Sequence, residues 1–200
     1  MTIIDVRFSD WIQKGFSLFT GNAAVLLVCG VTSVLITGAT LGLLAGPMLA
    51  GMAIIVLNLQ DERLSRPSIN DLFKGFDYTV ATIPVTLAFY ALALFYLVIS
   101  LIPLVGQVIN SMVISVGLAI GVLSVFHLVA RKVTPRDSAP VWWSLFRANW
   151  GPLLGFFILT LLIGAAGVLV FVVGLVVTVP IYLSIMGVAY LAILRQSAEL

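Results

Sequence analysis

The chain reads as an all-α polytopic membrane protein, with six transmembrane helices arranged as three hairpins, and three observations predict this. Of 200 residues, 62% are hydrophobic and only 9% charged, with a mean hydropathy of +1.21, a balance outside that of water-soluble domains. The charged residues cluster, leaving three silent windows at 15–60, 78–130 and 148–194, which are 46, 53 and 47 residues long. Each window also carries a breaker near its middle: Gly46-Pro47, Pro103 with Gly106, and Gly174 with Pro180. A helix crossing about 30 Å of hydrocarbon needs roughly 20 residues at 1.5 Å each. Each window therefore accommodates two crossings, with the breaker as the turn between them.

The same arithmetic excludes other classes. Disorder needs low hydrophobicity and high charge, and a disulfide scaffold cannot be built from one cysteine, Cys29. Ten basic against eight acidic residues leave a net charge of only +2, too little for a nucleic-acid partner. The run 168–173 is apolar on both faces, which a β-barrel strand is not.

In chain order, the first twenty or so residues mix polar and apolar types and include Asp5 and Asp10, unlike a signal peptide. The spans follow at 23–44, 47–61, 79–101, 105–130, 152–173 and 176–194. The second is short, and its Asn58 and Gln60 lie at headgroup level. Pro84 kinks the third span or sits close to its start. The turns at 44–47, 102–106 and 174–180 contain no charge. All ten basic residues (Arg7, Lys14, Arg63, Arg66, Lys74, Arg131, Lys132, Arg136, Arg147 and Arg195) consequently fall on one side. The positive-inside rule makes that side cytoplasmic, with both termini there.

Before each hairpin the chain repeats a short unit: Ser17-Leu18-Phe19-Thr20-Gly21-Asn22, Asp71-Leu72-Phe73-Lys74-Gly75-Phe76, and Ser144-Leu145-Phe146-Arg147-Ala148-Asn149. From its phenylalanine to the hairpin proline is 28, 30 and 34 residues, which predicts one module used three times within a single domain, 1–200, with units at 8–66, 67–136 and 137–200. Each unit lies on an amphipathic stretch. Phe8, Trp11, Ile12, Phe16 and Phe19, then Ile69, Leu72, Phe73 and Phe76, then Trp142, Leu145 and Phe146 with Trp150 follow helical spacing. Ser68 with Asp71 forms a capping box after Pro67, and Ser138 with Pro140 starts the third stretch. These read as helices in the interface, anchored by Trp11, Phe19, Phe73, Trp142, Trp143, Phe146 and Trp150, since amphipathic rings favour headgroup level. A mechanical elbow explains them; a collar gripping headgroups or a partner is the functional alternative.

Gly46-Pro47-Met48-Leu49-Ala50-Gly51-Met52, a charged loop closing on Arg66-Pro67, and Asp71-Leu72-Phe73-Lys74-Gly75-Phe76 resemble small prokaryotic multi-spanning membrane proteins known only as domains of unknown function. The resemblance covers about the first 100 residues and implies a prokaryotic plasma membrane protein. It brings no catalytic or binding residues.

The membrane interior carries little chemistry. No Asp, Glu, Lys or Arg lies at depth, where transporters and pumps place them. The polar inventory there is Thr32, Ser33, Thr37, Thr40, Thr82, Thr86, Asn110, Ser111, Ser115 and Ser124, with Gln107 near a turn. Serine and threonine satisfy their own backbone carbonyls, while Asn110 needs a partner, expected across helices. His127, one turn from Arg131, reads as an interface residue ahead of a proton-handling one, and Cys29 as a small apolar side chain. Asp61, Glu62, Asp71, Asp77 and Asp137 read as solvated ion pairs. The expectation is no enzyme, no cofactor and no metal.

Small residues at four-residue spacing, Gly38/Gly42/Gly46, Gly117/Gly121, Gly151/Gly155 and Ser111/Ser115/Ala119, predict close helix packing within the bundle, ahead of an oligomer seam. The expected function is a non-enzymatic scaffold, assembly factor or accessory subunit whose partners are the lipid bilayer and other membrane subunits. The alternative is a carrier or channel for a small neutral or lipid-like solute. A further alternative has the hairpins re-entrant, never reaching the far surface.

Overall fold

The computed structural model describes residues 4–61, 67–102, 104–167 and 172–198. Among them the regular structure is helical throughout, with no strand. In order, the elements are α1 (Phe8–Gly21), α2 (Ala23–Ala39), α3 (Ala45–Leu59), α4 (Ile69–Phe73) and a 3-10 segment (Lys74–Tyr78). Then come α5 (Thr79–Ile99), α6 (Val105–Arg131), α7 (Pro135–Ala148), α8 (Trp150–Ala165) and α9 (Val172–Ala198).

Three helical stretches are long and apolar enough to cross a membrane: Ile69–Ile99, Gly106–Arg131 and Gly174–Gln196. Counting each bent pair, α1 with α2 and α7 with α8, as one span raises the number to five. The six expected segments each coincide with an apolar helix, but α2, α3 and α8 have only 17, 15 and 16 residues. At 1.5 Å per residue such helices cover about 22–26 Å, less than the hydrocarbon thickness.

The first turn runs over 40–44, with Leu41 at φ 51° and Gly42 at φ 87°. Glycine suits that left-handed backbone, and the Tyr90 hydroxyl donates to the Leu41 carbonyl at 2.5 Å. The second turn carries Leu104 at φ 59°; Pro103 lies outside the described residues. The third differs from expectation. Gly174 and Pro180 are not in a turn but inside α9, which begins at Val172, while α8 ends at Ala165; residues 168–171 lie outside the described residues. Gly30 of α2 makes room for the proline ring, since a Cβ there would stand 2.5 Å from Pro180 Cγ.

Two elbows are built alike. At Asn22 the chain turns by 92° and at Asn149 by 112°, with φ/ψ of −132°/27° and −127°/33°. Each asparagine Nδ2 donates to the carbonyl four residues back, Leu18 at 3.0 Å and Leu145 at 3.1 Å. Each asparagine carbonyl then accepts the first bond of the next helix, from Leu26 or Leu153 N–H at 3.1 Å. The middle unit differs: its short α4 and 3-10 segment continue into α5. Asp71 Oδ2 accepts from the Ser68 N–H at 2.8 Å, the expected capping interaction. Before α7 the start is Thr134-Pro135 rather than Ser138 and Pro140. Proline at the first helical position lacks an N–H that would go unpaired there anyway.

Helices α3, α6 and α9 pack on one another at the centre. Around them α2 lies against α3 and α9, α5 against α6 and α3, and α8 against α9 and α6. The polar-end segments follow the same rule: α1 lies on α9, α4 with the 3-10 segment on α3, and α7 on α6. Met48, Met52, Ile55, Phe126, Met186 and Tyr190, all from the central helices, are fully buried. Between helices in lipid there is no hydrophobic driving force, so shape-matched contact of this kind holds the bundle.

Candidate functional site

Two cavities occupy opposite ends of the bundle. The first, of about 620 Å³, lies toward the hairpin turns and is lined from α2, α3, α5, α6, α8 and α9, by residues including Ser33, Thr37, Met52, Phe89, Val122, Leu161 and Tyr182. Its wall is almost wholly apolar. Ser33 is the exception of interest: the residue is buried and its hydroxyl has no hydrogen-bond partner among the described residues. Helical serines usually return that hydroxyl to their own backbone, as Thr32 does to Val28 at 2.9 Å.

The second cavity, of about 700 Å³, lies at the charged end, where α1 meets α9 and the ends of α2 and α3. Its lining combines Arg7, Asp10, Lys14 and Arg195 with apolar Leu18, Val188, Leu191 and Ala192. Asp5 holds Arg7 at 2.8 Å and Asp10 holds Lys14 at 3.1 Å. The Asp5 carboxylate lifts the Arg7 guanidinium above its ordinary value by hydrogen bonding and by charge. Asp5 N–H donates to Gln196 Oε1 at 2.9 Å, and Gln196 Nε2 to the Asp5 carbonyl at 3.2 Å, so the segment before α1 closes on the end of α9. Ile4 N–H adds a bond to Asn149 Oδ1 at 2.9 Å. Between the cavities α2 carries fully buried Leu26 and Cys29, and α9 carries Ile185 and Met186, a packed layer separating one space from the other.

The expected anchors divide. Trp143 and Trp150 are exposed, and Phe73 is exposed and stacked on Phe76. Phe146 is half-buried between Trp143 and Phe157. Trp11, Phe19 and Trp142 are buried and face protein instead. Trp11 meets Phe156 edge-on at 5.1 Å, an aromatic contact worth about 0.5–1.5 kcal/mol beyond its area. Trp142 packs with Tyr190 and edge-on with His127, while His127 Nδ1 lies 3.3 Å from the Tyr190 hydroxyl. These three aromatic side chains join α6, α7 and α9, which gives His127 a packing role.

The expected glycine contacts divide too. Gly46 faces Thr82 and Thr86, Gly117 faces Leu92, and Gly121 faces Phe89, each too close for a Cβ. Gly38 and Gly151 face open space, Gly155 meets only Phe8 at ordinary contact distance, and Gly42 forms the turn. Other tight positions lie outside those four-residue ridges: Gly15 against Ile185, Gly30 against Pro180, and Gly51 against Leu72 and Gly75. Asn110 does bond across helices, donating from Nδ2 to the Tyr96 carbonyl of α5 at 3.3 Å. Thr160, Thr178 and Ser184 also belong to the deep polar set. Thr178 bridges α9 to α8 by donating to the Gly164 carbonyl at 2.7 Å. Among the described residues no three His, Cys, Asp or Glu side chains are grouped to hold a metal.

No protein-family model, no curated protein and no solved structure matches this chain.

Proposed function

We propose that the chain is an integral protein of a bacterial inner membrane that binds or carries a small neutral or lipid-like solute without catalysing a reaction on it. One observation carries the reading: the cavity of about 620 Å³ to which all six apolar helices contribute. Its volume suits a small ligand, its wall suits an apolar one, and the unpartnered Ser33 hydroxyl offers one polar contact whose satisfaction favours occupancy. The resemblance to small prokaryotic multi-spanning membrane proteins accords with this compartment.

The proposed architecture has six spans in three repeated units. It is supported by the packing rule that recurs three times around α3, α6 and α9, and by the twin elbows at Asn22 and Asn149. Short α2, α3 and α8 are accommodated by local thinning of the bilayer, a modest cost per ångström. The termini are proposed to be cytoplasmic, in keeping with the basic residues gathered at their end.

Equilibrium binding of a pyrene-labelled fatty alcohol to the protein in nanodiscs tests the reading. Wild type binds, Leu161→Trp fills the cavity and removes binding, and Thr37→Val changes affinity. Asn110→Ala, whose side chain bonds to α5 outside the cavity, leaves affinity unchanged. Failure of wild type to bind any apolar probe sinks the reading. The second reading, a scaffold, assembly factor or accessory subunit, draws on a lateral groove of about 480 Å³ lined by Leu92, Gly117, Trp143 and Phe146, where a partner helix would lie. Co-purification of a stoichiometric membrane subunit, lost in Gly117→Leu, supports it.

A further inference from the structure

We infer that the cleft between α1 and α9 is a binding site for the phosphate-bearing headgroup of an anionic phospholipid. The inference is independent of the apolar cavity near the hairpin turns, from which a packed layer separates it. The cleft has the two-part chemistry of such a headgroup. Its rim is cationic, with Arg7, Lys14 and Arg195, and its floor, Val188, Leu191 and Ala192, is apolar. It stands where the segment before α1 and α1 itself meet the end of α9, the end that the proposed orientation sets among the cytoplasmic headgroups. Two rim cations already hold carboxylates, Arg7 with Asp5 and Lys14 with Asp10, which fixes their positions and leaves the rim with a net positive charge. Arg195 is exposed and has no ion-pair partner among the described residues, so it is the group with charge to give a phosphate. A guanidinium presents paired donors that match phosphate oxygens. The floor selects a lipid over a free anion, because a phosphate alone would leave that apolar surface in water.

The experiment is native mass spectrometry of the full chain released from nanodiscs containing equal phosphatidylglycerol and phosphatidylcholine. Wild type retains one phosphatidylglycerol. Arg195→Gln lowers its occupancy about five-fold, the weight of one cation at an anionic membrane surface. Ala192→Trp fills the floor without altering charge and lowers occupancy likewise. Arg136→Gln, an exposed cation outside the cleft, leaves it unchanged. Equal retention of phosphatidylcholine overturns the site, as does a loss in Arg136→Gln matching that in Arg195→Gln, since general surface attraction then explains the binding. Displacement of the lipid by excess inorganic phosphate overturns the lipid as ligand and assigns the cleft to a free anion.

Discussion

Gly75 and Gly51 meet backbone to backbone. A Cβ on Gly75 would stand 2.5 Å from the Gly51 nitrogen and against the Pro47 carbonyl, and one on Gly51 would collide with the Leu72 carbonyl. The Gly-Pro-x-x-x-Gly segment of α3 and the Leu-Phe-x-Gly segment before α5 are thus two halves of one joint. Gly75→Ala and Gly51→Ala are each expected to cost about 1–3 kcal/mol through forced separation of the two backbones. Gly38→Ala, with open space above it, is expected to stay within about 1 kcal/mol of wild type and on the stabilising side. Thermal unfolding in one detergent checks all three, and equal losses at the three positions would count against the joint.

Helix order and extent are legible in the sequence where charge and turn chemistry act together. The spans 79–101 and 105–130 correspond closely to α5 and α6. The third turn is not legible, because Pro180 reads locally as a breaker and the feature that accommodates it, Gly30, lies 150 residues away. Periodicity shows that Trp11 and Trp142 share faces with other apolar residues, but not whether lipid or protein covers those faces. Gly38, Gly42 and Gly46 form a ridge only if the helix continues through them, and the left-handed Leu41–Gly42 pair ends it. Isolated glycines such as Gly15 and Gly51 matter through their partners, which a local pattern cannot name.

The elbows predict unequal losses. Asn22→Ala removes one hydrogen bond from Nδ2, whereas Asn149→Ala also releases the Ile4 N–H held by Oδ1. About 1 kcal/mol is expected for the first, and about 2 for the second. Limited proteolysis provides a separate readout: the N-terminal segment should become more susceptible in Asn149→Ala alone.

Ser33→Ala separates stability from binding. Removing a buried hydroxyl that lacks a partner should stabilise the empty protein by up to about 1 kcal/mol, while weakening a ligand that uses the hydroxyl. Unfolding curves with and without the pyrene-labelled alcohol check both signs. A destabilised empty protein would mean that the hydroxyl already has a partner.

Cys29 is buried, so wild-type cells should stay silent to a membrane-impermeant maleimide. Leu41→Cys and Leu104→Cys, each replacing a side chain 84% exposed at a turn, should label from outside intact cells. Ser144→Cys in α7 should label only after permeabilisation. The opposite pattern reverses the orientation, and protection at both turns favours re-entrant hairpins.

The reciprocal bonds between Asp5 and Gln196 mean that the segment before α1 and the end of α9 are already joined by contact. Starting the chain elsewhere should then cost little. A circular permutant beginning at Pro135, with a short Gly-Ser bridge joining the old ends, would present the same helices in the order three, one, two and is expected to assemble the same bundle.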